Sequence, residues 1–158
     1  MSKDSQAFEH SLPLADLAAT GALGARIAAG LHVGDAVALE GDLGAGKTTL
    51  ARAILTALGV TEAVPSPTFT LVQEYETPRL PVRHYDLYRI ENPSEMEELG
   101  LAEALDEGAA LIEWPERALA WLPADRLHIA MSLKDGARRA RIRGPQRWAA
   151  AMTEVGHV

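Results

Sequence analysis

The chain has 158 residues, 47% hydrophobic and 23% charged, with no cysteine and a formal net charge of −7, a composition that fits one soluble globular domain over 1–158 with 1–10 and 152–158 loose. The absence of cysteine excludes disulfides and thiolate metal sites, and no apolar run approaches the roughly 18 residues a membrane span needs. The polar start, Met1 to Gln6, lacks the apolar core of a signal peptide, so a cytoplasmic location is expected, and the negative charge argues against a free-standing nucleic-acid binder.

In chain order, residues 1–10 are read as loose or as an edge strand. Leu14, Leu17, Ala18, Ile27, Ala28 and Leu31 follow a helical period, weakened by Gly21 and Gly24 and ended by Gly30. Asp35 to Glu40 is a short apolar run and predicts a buried parallel strand. Lys47 to Leu58 predicts a helix with Leu50, Ile54, Ala57 and Leu58 on one face and Gly59 as its stop. Thr68 to Tyr75 and Val82 to Leu87 are β-prone. Pro93 to Leu99 opens as a short helix capped by Asn92. Ala109 to Ile112 predicts a buried strand ending at Glu113. Leu127, Ile129, Met131 and Leu133 then alternate with smaller or polar residues, Asp135-Gly136 signals a hairpin turn, and Arg139, Arg141 and Arg143 alternate on the return strand. A closing helix starts near Pro145. The fold class expected is α/β: one P-loop domain with a mixed, mainly parallel sheet and a C-terminal antiparallel hairpin.

The chemistry is concentrated at Gly41-Asp42-Leu43-Gly44-Ala45-Gly46-Lys47-Thr48, which fits G-x-x-x-x-G-K-[ST] without a mismatch. Such a loop turns its backbone N–H groups onto phosphate, and the helix that follows adds its N-terminal dipole. In this reading Lys47 reaches the β- and γ-phosphates, Thr48 ligates Mg²⁺, and Thr49 bonds the α-phosphate. ATP with Mg²⁺ is the expected ligand. An acid is also needed beside the metal, at the end of a core strand. Asp86 follows a mixed strand and Glu113 a cleaner apolar one, so pattern favours Glu113. Both are assigned to the site, with the division between metal binding and orientation of the attacking water left open. Thr68 and Thr70 stand in a Pro-bounded segment where a switch threonine that senses the γ-phosphate would lie. His84 reads as structural, and Trp114 equally as core or as recognition.

Charge is unevenly spread. Glu91 to Glu116 holds nine acids and no Lys or Arg, whereas Arg138 to Arg147 holds five arginines and no acid. Each stretch reads as a solvated face, an acidic helix face and a basic strand edge, or as a surface that meets a partner.

Four blocks in this order, Gly41 to Thr49, Ser66-Pro67-Thr68-Phe69-Thr70-Leu71-Val72, His84-Tyr85-Asp86-Leu87-Tyr88-Arg89 and Ile112-Glu113-Trp114-Pro115-Glu116, resemble the bacterial TsaE family over about residues 12 to 145. The resemblance implies an ATPase of tRNA threonylcarbamoyladenosine biosynthesis that works with TsaD and TsaB. Those partners would install the threonylcarbamoyl group on adenosine-37 of tRNAs reading codons that start with A. The chain would hydrolyse ATP to support their turnover and meet tRNA only through the complex. It also implies essential roles for Lys47, Thr48, Asp86 and Glu113, with Glu113 as the magnesium-side acid and Thr68 in the switch-like segment. The family often carries Gly-Arg at the hairpin turn, with the arginine near the nucleotide. Here Gly136-Ala137-Arg138 separates the two, and Arg138 is the match.

Two other readings compete. A small-molecule kinase would share the loop but need an arginine-bearing lid, for which Arg138 to Arg147 is the candidate. A regulatory module would bind ATP with incidental hydrolysis. A GTPase is disfavoured by the lack of an Asn-Lys-x-Asp segment.

Overall fold

The computed structural model describes residues 7–153 apart from 43, 66, 68 and 69. Seven strands form one sheet: β1 (Ala7–Pro13), β2 (Ala36–Glu40), β3 (Val72–Tyr75), β4 (Val82–Asp86), β5 (Ala109–Glu113), β6 (Leu127–Lys134) and β7 (Ala137–Pro145). Their order is β1-β7-β6-β2-β5-β4-β3. The four central strands, β6-β2-β5-β4, are parallel, while β3 and the β7-β1 pair join antiparallel. The helices are α1 (Leu17–Gly30), α2 (Lys47–Ala57), α3 (Leu101–Glu107) and α4 (Ala149–Thr153).

The parallel centre follows from its sequence. Val37 and Leu39 of β2 point to one face and Ala36 and Ala38 to the other, and all four are buried, as a strand covered on both faces requires. On the first face α1 and α2 bring Leu23, Ile27, Leu50 and Ile54 onto Val37, Leu39, Leu111 and Ile142. On the second, Met96, Leu101 and Leu122 cover Ala110, Ile112 and Tyr85. Truncating any one of these fully buried aliphatic side chains to alanine would cost about 2–5 kcal/mol.

Helix boundaries have local causes. Asp16 accepts from the N–H of Ala19 at 2.8 Å and caps α1, so the helix begins at Leu17 although the apolar period starts at Leu14. Leu14 is buried in the connection. Gly30 is the last residue of α1, as the sequence suggests. Gly24 explains why a glycine sits mid-helix: a Cβ there would lie 2.6 Å from Ala53 Cβ on α2, so it lets two helices approach closely.

Several expectations change. The β-prone run from Thr68 yields a strand only from Val72. Leu71 takes φ 68° and donates to Pro67 O at 2.7 Å, which makes a turn before the strand. Asn92 does cap the next segment, with Glu95 completing a reciprocal box, but Pro93–Glu97 is a 3₁₀ turn rather than an α-helix. Helix α3 was not anticipated. Its seven residues bury only Leu101 and Ala104, too short a run to show a period. The acidic stretch 91–116 is therefore not one helix face but a 3₁₀ turn, a helix and a strand end. At the C-terminal side, α4 is preceded by a 3₁₀ turn at Gln146–Trp148, and both Trp148 and Met152 pack into the first core. Among the described residues no helix is long and apolar enough to cross a membrane.

Candidate functional site

Strand β2 ends at Glu40 and the chain turns through the glycine loop into α2. Gly41, Gly44 and Gly46 take φ of 154°, 84° and 107°, conformations that a Cβ would strain. Gly46 is the N-cap of α2 and no side chain caps it. The first N–H groups of this 11-residue helix are thus left for an external anion.

Lys47 is almost fully buried. Its Nζ donates to the carbonyls of Gly41 and Asp42, the second at 3.0 Å, and stands 4.1 Å from the centroid of the Trp114 ring. Burial pulls its pKa below the ordinary lysine value, and Glu113, Glu116, Asp86 and Asp42 oppose that pull.

The Thr48 hydroxyl lies 2.9 and 3.0 Å from the two oxygens of Glu113. The second of those oxygens is also 2.6 Å from His84 Nε2, a fully buried ring on β4. His84 is therefore structural in a specific sense: it holds the acid. Asp86 ends β4 directly beside Glu113 in the parallel register, and its Oδ1 accepts from the N–H of Tyr88 at 2.9 Å. The Asp86 N–H donates to Leu71 O at 3.0 Å, which ties the acid to the turn before β3. Thr68 and Leu43 lie outside the described residues.

Arg138 shares its side of β7 with buried Ala140 and Ile142, because residues two apart face the same way. That side carries α1 and α2, and Arg138 Nη2 donates to Gly44 O at 3.3 Å. Arg139, Arg141 and Arg143 face the other way and are all exposed, with Arg141 paired to Glu9 at 2.6 Å. Four of the five arginines proposed for a kinase lid are thus residues of strand β7, and Arg147 sits in the 3₁₀ turn that follows it.

These groups line a cavity of about 400 Å³ bounded by Gly44, Lys47, Thr48, Asp86, Glu113 and Arg138. Gly46 and Thr49 also face it, whereas Ala45 is turned into the core. Tyr88 and Trp114 close one side, their ring centroids 4.8 Å apart. Trp114 is half-buried with φ 59°, so it serves as a wall of the site. Sequence reasoning passed over Tyr88, although it lies two residues beyond Asp86. It also missed an adjoining cavity of about 380 Å³ that shares Gly46, Thr49 and Arg138 and adds Leu14, Leu17 and Met131. Leu17, left 75% exposed at the start of α1, stands at that cavity, and no pattern in the sequence marks it.

A strand, a glycine loop and a helix at the carboxyl ends of parallel strands, with a buried lysine and two carboxylates around the opening, define an α/β protein with a preformed anion site. A family model described as "Threonylcarbamoyl adenosine biosynthesis protein TsaE" matches residues 14–141, and the chain belongs to the TsaE family. It is similar to the tRNA threonylcarbamoyladenosine biosynthesis protein TsaE of Nostoc sp., 42% identical over 135 residues that span 82% of each chain. It is also similar to that of Bacillus subtilis, 46% identical over 99 residues, 62% of this chain and 61% of the relative. The crystal structure of Bacillus subtilis YdiB superposes with a TM-score of 0.79 at 31% identity, covering 96% of this chain and 97% of that one.

Proposed function

We propose that the chain is a P-loop ATPase that binds ATP with Mg²⁺ in the cavity above α2 and hydrolyses it in support of TsaD and TsaB. In this reading it contacts tRNA only through those partners and works in the cytoplasm. The observation that carries the reading is the Thr48–Glu113 pair at the foot of the glycine loop, beside Lys47.

The donor set fits magnesium held mainly by substrate. Among the described residues no three His, Cys, Asp or Glu side chains gather into a metal cage. A hydroxyl and one or two carboxylates at a phosphate site are what an ion that keeps several waters requires. Mg²⁺ bound there would neutralise charge on the phosphate oxygens during transfer. Thr48 and Glu113 would hold it, and Asp86, beside Glu113, would orient the attacking water and accept its proton as ADP leaves. Lys47 would exchange its two loop carbonyls for β- and γ-phosphate oxygens. Arg138, now on Gly44, would turn to the phosphates. The adenine would rest in the adjoining apolar cavity against Leu14, Leu17 and Met131. Thr68, three residues before Leu71 in sequence, whose carbonyl accepts from the Asp86 N–H, keeps its proposed role as γ-phosphate sensor.

The test is calorimetric titration with ATP in Mg²⁺ and in EDTA, followed by phosphate release with and without purified TsaD and TsaB. Magnesium-dependent binding, slow turnover alone and faster turnover with the pair are expected. Failure to bind ATP, or transfer of the phosphoryl group to a small molecule instead of water, would overturn the reading.

A further inference from the structure

Between Glu91 and Glu116 only Glu113 has been given a chemical task. Folded, this stretch walls a third cavity, of about 600 Å³, on the sheet face opposite α2. Its lining is apolar, with Leu101, Leu105 and Leu122, and Trp121 at the lip is 40% exposed. Its rim is acidic, with Glu97 and Glu103 both exposed. Leu119 next to it is 43% exposed. Arg83 bonds both Glu103 and Glu74, and no Lys or Arg occurs from residue 91 to 116.

The two walls of this groove leave directly from the two acids of the site. One runs from Asp86 through Leu87 and Tyr88 to Met96 and Leu101. The other runs from Glu113 through Trp114 to Trp121 and Leu122. The walls are packed together: Leu87, Met96, Leu101 and Leu122 share one buried cluster, and the Leu87 N–H donates to Glu113 O at 3.1 Å. Near their origins the walls meet again as the Tyr88–Trp114 ring pair, with Trp114 over Lys47.

We propose that this groove docks a segment of a protein partner, one with an aliphatic or aromatic anchor flanked by Lys or Arg, and that its filling is felt at the phosphate site through the Tyr88 and Trp114 walls. The anchor matches the apolar lining, and Glu97 is the rim carboxylate the flanking cations would meet, since Glu103 already bonds Arg83. The inference rests on the reading above only for the partner used to test it, the TsaD–TsaB pair. It supplies a structural route by which a segment docked away from the glycine loop changes turnover: the segment moves the two chain sections that begin at Asp86 and Glu113.

Two substitutions at the groove, Glu97→Lys and Ala102→Arg, reverse the rim charge on exposed positions outside the ATP site. Their combination is expected to weaken association with the purified TsaD–TsaB pair by at least about tenfold, more at low salt. ATP affinity of the isolated chain should stay within about twofold, since exposed charges far from the ligand contribute little. Ala102→Glu, which also adds a charged side chain, shorter and of opposite sign, should weaken association less than Ala102→Arg. Unchanged association of the charge-reversed variant, with wild-type binding intact, overturns the inference and leaves the ATPase reading standing. Equal weakening by Ala102→Glu and Ala102→Arg overturns the basic character of the segment. A wild-type chain that ignores the pair defeats the partner reading, and this inference with it. Light scattering that shows a wild-type dimer lost in the variant, with pair binding unchanged, assigns the groove to a second copy and overturns the partner form.

Discussion

Thr48 and Glu113, 65 residues apart in sequence, meet where α2 begins and β5 ends, with the threonine hydroxyl 2.9 and 3.0 Å from the two carboxylate oxygens. A hydroxyl has one proton to give, so it satisfies one oxygen at a time and leaves the carboxylate able to turn toward a ligand. Glu113→Gln keeps the shape and removes the charge. Turnover should fall by about 10²–10³-fold, the scale of a lost positioned acid or base. ATP affinity in EDTA should change by less than about threefold. Phosphate release and calorimetry on the same preparation check both halves, and turnover at the wild-type rate would remove Glu113 from the chemistry.

His84 Nε2, 2.6 Å from Glu113, is buried with the acid. Leaving a buried acceptor without its donor costs about 1–3 kcal/mol. His84→Leu should therefore lower the melting temperature and raise the Mg²⁺ concentration needed for half-maximal turnover. His84→Gln supplies an amide donor in place of the ring N–H and should restore the Mg²⁺ dependence. If leucine and glutamine variants respond alike to Mg²⁺, the histidine only fills space.

The histidine marks where the sequence stopped being legible. Strand, loop and helix around Lys47 were readable because apolar periodicity and glycine placement are local. So were β5 and the β6–β7 hairpin, whose alternation and Asp135-Gly136 turn encode themselves. The His84–Glu113 contact joins two strands whose adjacency no local pattern states. Arg138 was separable from Arg139, Arg141 and Arg143 by strand parity alone, but only the sheet order shows that its side carries α2. Helix α3 escaped because seven residues with two buried positions carry no period. The apolar cavity beside Leu17 was invisible because Leu14 and Leu17 meet Met131 from a distant part of the chain.

Lys47 is a buried cation whose pKa burial lowers from 10.5. The native state therefore releases this proton more readily than the unfolded chain. Below the lowered value both states are protonated and the burial penalty is in full force. As pH rises from there toward 10.5 the unfolded chain alone keeps the proton, and stability rises with pH. Lys47→Met removes the titrating group, so the variant should lack this rise. Comparison between the two proteins cancels Tyr75 and Tyr85, whose pKa values burial raises and which act in the opposite sense. At neutral pH the empty variant should melt no lower than wild type while losing about tenfold or more in ATP affinity, the scale of a charged hydrogen bond. A lower melting temperature would mean that the bonds to Gly41 O and Asp42 O matter more than the burial penalty.

Gly21 and Gly24 lie one turn apart on α1 and give opposite expectations for the same substitution. Gly21 is exposed, and a Cβ built there meets nothing within 4 Å. Gly21→Ala should stabilise by about 0.5–1 kcal/mol, the difference in helix propensity and unfolded-chain entropy. A Cβ at Gly24 would lie 2.6 Å from Ala53 Cβ and 2.8 Å from Ala53 C, in the middle of α2. Both contacts involve groups that cannot swing aside, so α1 and α2 must separate. The propensity gain is similar, but overpacking a tight helix contact costs about 1–3 kcal/mol, and Gly24→Ala should destabilise on balance. Because α2 carries Lys47 and Thr48 on its first turn, the displacement should also weaken ATP binding, which Gly21→Ala should not. Urea unfolding of both variants, with ATP titrations alongside, decides the matter. Equal stabilisation by both would show that α1 can shift away from α2 at no cost, and the close helix contact would then have no part in placing the glycine loop.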